Sequence, residues 1–71
     1  MNSDILGGMW KQVRGEARQR WGELTDDEVD QIDGNVEKLV GKLQEKYGYT
    51  REKAQKEASD FLTKMESKYR F

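Results

Sequence analysis

Glycines at 34, 41 and 48 frame the segment GNVEKLVGKLQEKYG, and the same frame stands 26 residues earlier at Gly8, Gly15 and Gly22. Between the later glycines, Val36, Leu39, Val40, Leu43 and Tyr47 recur with the spacing of one helical face. Between the earlier ones, Trp10, Val13, Ala17 and Trp21 match Val36, Leu39, Leu43 and Tyr47, and Arg20 matches Lys46. A threonine follows each copy, Thr25 and Thr50, in position to cap a further helix. A motif written twice in this way predicts two helix pairs, and a helix pair cannot bury its apolar face alone.

The first helix is expected from about Gly8 to Trp21, after a mobile lead-in over Met1 to Gly7, with Gly22 as the left-handed residue that closes it. Leu24 continues its apolar line. Thr25-Asp26-Asp27-Glu28 reads as a capping box, in which the hydroxyl and the Glu28 carboxylate satisfy orphan amides. Acidic side chains in that first turn also favour the positive end of the helix dipole. The short second helix buries Val29 and Ile32 and stops at the turn dipeptide Asp33-Gly34. A third helix runs from Asn35 to Tyr47 and ends at Gly48. Thr50 caps a fourth, striped by Ala54, Ala58, Phe61, Leu62 and Met65, with Tyr69 extending the stripe and Phe71 folding back on the core. Outside that stripe, Glu52/Lys56, Lys53/Glu57 and Asp60/Lys64 are opposite charges four apart, worth about 0.2–0.5 kcal/mol each to an isolated helix.

The chain contains no proline, and nothing alternates as a strand would. Short connections at 22–25 and 48–50 therefore predict an all-α fold: two αα-hairpins, about 8–33 and about 35–69, crossed over a shared core. Trp10, Trp21, Leu39, Leu43, Tyr47, Phe61 and Leu62 should be its largest members. With 71 residues, 34% of them hydrophobic and 38% charged, this is one small domain with a margin of about 3–5 kcal/mol.

Cysteine and histidine are both absent, which removes thiolate and imidazole chemistry. Ser3, Ser59 and Ser67 have no base to activate them, and no catalytic residue, cofactor or metal site is expected. The acidic block fails as a calcium loop. Placing Asp33-Gly34 at the fifth and sixth loop positions puts Val29 first and Gln31 third. The segment Met1 to Met9 lacks the basic and apolar regions of a signal peptide, and no apolar run is long enough for a membrane span, so a cytoplasmic location is the default.

The net charge of −1 hides an uneven distribution. Asp26, Asp27, Glu28, Asp30 and Asp33 form a cation-free block, so the rest of the chain carries +4 and a polarised surface is expected. Lys11, Arg14 and Arg18 form a basic stripe on the first helix, with Arg20 close by, that can face phosphates. Glu16 and Glu23 dilute it, and a solvated face is the simpler reading. The tryptophans and Tyr47 can stack on bases but sit on the stripes expected to be buried. Gly15 and Gly41 lie opposite the apolar stripes of their helices. Each costs about 1 kcal/mol against alanine, as a tolerated surface residue or as a point where the opposite hairpin or a partner helix comes close. Lys11, Arg14, Arg18, Gly15 and Gly41 are thus the candidate interaction face. The sequence names no partner for it; a protein or a second copy is the first expectation, with nucleic acid ranked behind and no membrane.

Three motifs carry a family resemblance: Gly8-x-Trp10-Lys11-Gln12, Trp21-Gly22-x-Leu24-Thr25-Asp26-Asp27 and Leu39-Val40-Gly41-Lys42-x-Gln44-Glu45-x-Tyr47-Gly48. With these, over nearly its whole length, the chain resembles the CsbD-like family of small bacterial proteins. The closing Tyr69-Arg70-Phe71 is similar to the aromatic-basic-aromatic ending of some members. The resemblance implies a single domain over 1–71, an orthogonal four-helix bundle like the SAM-domain-like folds, and abundance under general stress in a bacterial cytoplasm. It brings no catalytic or ligand residues with it. The functional expectation is a non-enzymatic stress-response protein acting by abundance or protein contacts. Behind it stand a weak nucleic-acid binder, adding Arg51, Lys53 and Lys56 to the basic stripe, and a hydrophilic protectant largely unfolded when dilute.

Overall fold

The amide of Glu28 donates to the Thr25 hydroxyl at 3.2 Å, and the Thr25 amide donates to the Glu28 carboxylate at 3.0 Å. The capping box read from the sequence is therefore formed, and it starts the second of four helices. A computed structural model of the chain describes residues 3–69, with side chains from position 10 onward. It contains α1 (Ser3–Arg20), α2 (Asp26–Ile32), α3 (Val36–Tyr47) and α4 (Arg51–Tyr69), and no strand among the described residues.

The other caps follow the same local chemistry. Asn35 accepts from the Lys38 amide at 3.1 Å, so it caps α3 rather than opening it, and Thr50 accepts from the Lys53 amide at 3.1 Å to start α4. α2 ends where Asp33 (φ 46°) and Gly34 (φ 78°) turn left-handed in succession. Aspartate tolerates that region better than most side chains, and glycine enters it freely. α3 ends at Gly48 (φ 67°), whose amide donates to the Gln44 carbonyl at 3.0 Å.

Two further boundaries differ from expectation. α1 begins at Ser3, so residues 3–7 are helical rather than a loose lead-in, while Met1, Asn2, Arg70 and Phe71 lie outside the described residues. Gly22 is not left-handed. α1 instead closes through the Trp21 amide on the Ala17 carbonyl (2.8 Å) and a tight turn from the Leu24 amide to the Trp21 carbonyl (3.0 Å). Burying Trp21 and Leu24 holds this turn without a special backbone conformation.

The four helices pack in a closed circuit. α3 lies most extensively on α4, α2 contacts both α1 and α3, and α1 meets α4. The radius of gyration is 10.9 Å, close to the ~11 Å of a compact chain this long and far from an extended rod. Trp10, Val13, Ala17 and Trp21 of the first copy and Leu39, Val40 and Leu43 of the second share one core with Leu24, Val29, Ile32, Ala54, Ala58, Phe61, Leu62 and Met65. Val36, Tyr47, Tyr49 and Tyr69 pack half-buried at its edge. The largest members expected from the sequence are in place, with Tyr47 at the rim.

The two tryptophans are anchored differently. The Trp10 indole donates to the Val29 carbonyl at 2.9 Å, fastening α1 to the last turn of α2, and the Asp33 amide uses the same oxygen at 3.3 Å. Trp21 packs on Phe61 with ring centroids 4.9 Å apart, and its buried indole nitrogen has no partner. Leaving a donor so sealed costs about 1–3 kcal/mol against a bonded one.

Candidate interaction face

Arg14 and Arg18 stand one turn apart on α1, and Asp30 and Asp26 stand one turn apart on α2. Because the two helices form a hairpin, the pairs meet in register. Arg14 Nη1 lies 3.1 Å from Asp30 Oδ1, and Arg18 pairs with Asp26. The basic stripe singled out as a phosphate contact is therefore mostly matched within the chain. Lys11 is exposed and has no ion partner among the described residues.

The acidic block does not stand as a bare patch either. Glu28, with its side chain only 13% exposed, reaches α3, where Lys46 lies at 2.9 Å and Lys42 at 3.6 Å from Oε2. Asp26, Glu28 and Asp30 thus tie α2 to its neighbours on both sides, while Asp27 and Asp33 keep no ion partner among the described residues. The Thr25 amide first, then the Lys46 ammonium, hold the Glu28 carboxyl at about 2, against an ordinary 4.5. In return, the Glu28 carboxylate raises Lys46 above the ordinary lysine value. The expected polarised surface is in this way largely cancelled by pairing between helices.

The same substitution of partners occurs on α4. None of the charge pairs expected four apart along it forms among the described residues. Glu57 takes Arg20 of α1 at 3.4 Å, and the Lys53 ammonium sits 5.0 Å from the centroid of Tyr49, which stacks on Tyr47. Lys68 pairs with Glu16 of α1 and is raised above its ordinary value by that carboxylate. Arg51 and Lys56 are exposed on α4, on a different helix from Lys11, Arg14 and Arg18.

Gly15 and Gly41 are both exposed, and a methyl group added at either meets nothing within 4 Å. The opposite hairpin does not approach them, which leaves surface tolerance or the approach of a partner helix as the reason for a mid-helix glycine. Gly41 lies on a groove of about 500 Å³ lined also by Gln31, Ile32, Lys38, Lys42 and Glu45. Sequence reasoning did not anticipate that groove or the Glu28–Lys46 tie. The spacing of Lys42 and Lys46, four apart on the side of α3 toward α2, was the signal available for the latter.

The comparisons with known proteins agree with the motifs. A family model described as CsbD-like matches residues 4–56. UPF0337 protein PA4738 of Pseudomonas aeruginosa is 51% identical over 65 residues, which is 92% of this chain and all of that protein. A UPF0337 protein of Bordetella pertussis is 53% identical over 62 residues, 87% of this chain and 94% of the relative. UPF0337 protein YjbJ of Escherichia coli K12 is 46% identical over 69 residues, 97% of this chain and all of the relative.

Proposed function

The chain belongs to the CsbD-like family, and from that premise we propose that it is a non-enzymatic general stress-response protein, acting by abundance or by contacts with other proteins. The family match over residues 4–56 carries the proposal. The chemistry of the chain supports it. With neither cysteine nor histidine, a chain kept at high concentration offers no thiol to oxidise and no imidazole to bind metal. No helix among the described residues is long and apolar enough to cross a membrane, which suits a protein that works in bulk.

The nucleic-acid reading loses support from the pairing of Arg14 and Arg18 with α2, since a guanidinium held by a carboxylate gives less to a phosphate. A protectant unfolded when dilute sits poorly with fifteen side chains buried in one core. The test is quantitative immunoblotting of the protein in its own host through osmotic, heat and stationary-phase stress, with a deletion strain scored for survival. The expected result is a rise in abundance and lower survival of the deletion strain. Constant abundance with unchanged survival overturns the proposal.

A further inference from the structure

Several charges have no ion partner on another helix among the described residues, and two of them, Lys38 and Glu45, flank Gly41 in a particular way. Lys38 has no ion partner among the described residues, and Glu45 has only Lys42 at a loose 3.8 Å while remaining 63% exposed. Both line the groove at Gly41. They are seven residues apart, two turns of helix, and so lie on one side of α3 about 10 Å from each other. The midpoint between them falls at Gly41 and Lys42, and Lys42 is drawn toward Glu28 at 3.6 Å.

Resting on the reading that the protein works through contacts, we propose that this face of α3 binds a second copy of the chain. The two α3 helices run antiparallel about a two-fold axis at Gly41. A two-fold axis there places Lys38 of each copy opposite Glu45 of the other, so the surface is complementary to itself. The open space over Gly41 lets the two backbones come closer than any side chain would allow. This gives the exposed mid-helix glycine a use that the isolated chain does not. Gly15 shares the exposure but lines none of the grooves described along the chain, so it has no such role.

Sedimentation equilibrium at low salt, from about 10 µM to about 1 mM, tests this on the full chain. A monomer–dimer equilibrium is expected. Lys38→Glu and Glu45→Lys should each weaken it about tenfold through two symmetry-related like-charge contacts, and the combined swap should restore it. Gly41→Leu should weaken it at least as much, and Gly15→Leu should leave it unchanged. Circular dichroism checks that each variant keeps its helices. A monomer throughout overturns the dimer and leaves the stress-abundance test standing. A dimer indifferent to Gly41→Leu and to the charge variants overturns this face as its seat.

Discussion

Gly22 and Gly48 occupy the same place in the two copies of the repeat, yet only Gly48 is left-handed, with φ 67°. The helices beyond them differ more. After Gly22 comes α2, seven residues long, with Val29 and Ile32 as its buried contribution. After Gly48 comes α4, nineteen residues long, burying Ala54, Ala58, Phe61, Leu62 and Met65. The short helix is tied on by Asp26, Glu28 and Asp30, the long one chiefly by its apolar stripe. A seven-residue helix is too short to hold its own backbone in water, so it depends on such ties. One frame has thus been completed in two ways, by charge in the first half and by packing in the second.

The largest test of that contrast is Phe61→Ala. Losing the ring that packs on Trp21 is expected to cost about 3–5 kcal/mol, most of the margin available to so small a core, and urea denaturation should show a largely unfolded chain. Next in size is the comparison of the two glycines. Gly48→Ala forces a side chain into the left-handed region at about 1–2 kcal/mol, whereas Gly22→Ala, in ordinary backbone with open space, should stay within about 0.5 kcal/mol. Equal losses in thermal melts would mean that the two links are built alike.

Gly15→Ala and Gly41→Ala reverse the sign. Each should gain about 1 kcal/mol in helix propensity, read as a rise of about 4–8 °C in Tm at micromolar concentration. The last effect is read from the dependence of stability on pH. The Glu28 carboxyl is lowered from 4.5 to about 2, so its contribution is complete above the unfolded value and is lost as pH falls from about 4.5 toward 2. Glu28→Gln should flatten the fall in stability across that window, and an unchanged acid unfolding curve would show that charge does not hold α2.

What the sequence made legible is what depends on near neighbours. Thr25 and Thr50 cap through bonds three residues long, and the stripes of α3 and α4 follow from helical period alone. The closing of α1 was misread because two glycines at matching positions do not share a conformation unless the next residues require it, and burial of Leu24 removed the requirement. Ion pairing was misread for a related reason. Spacing along one helix offers Lys53 to Glu57, but Arg20, thirty-seven residues away, occupies Glu57 once the helices are packed. The Arg14–Asp30 and Arg18–Asp26 ladder had a sequence signal, two cations and two carboxylates at matching intervals about a short link. Of Lys11, Arg14, Gly15, Arg18 and Gly41, only Gly41 lines the groove beside α2, and spacing along the chain could not show that groove, because it exists only once the end of α2 lies beside α3.

The unlike settings of the two indoles have an optical consequence. Trp10 emits from beside the last turn of α2, to which its nitrogen is bonded, while Trp21 emits from a dry contact with Phe61 on α4. With one or the other replaced by phenylalanine, fluorescence colour alone distinguishes loosening of the charge-tied half from loosening of the packed half, and no dye has to be attached to a chain this small.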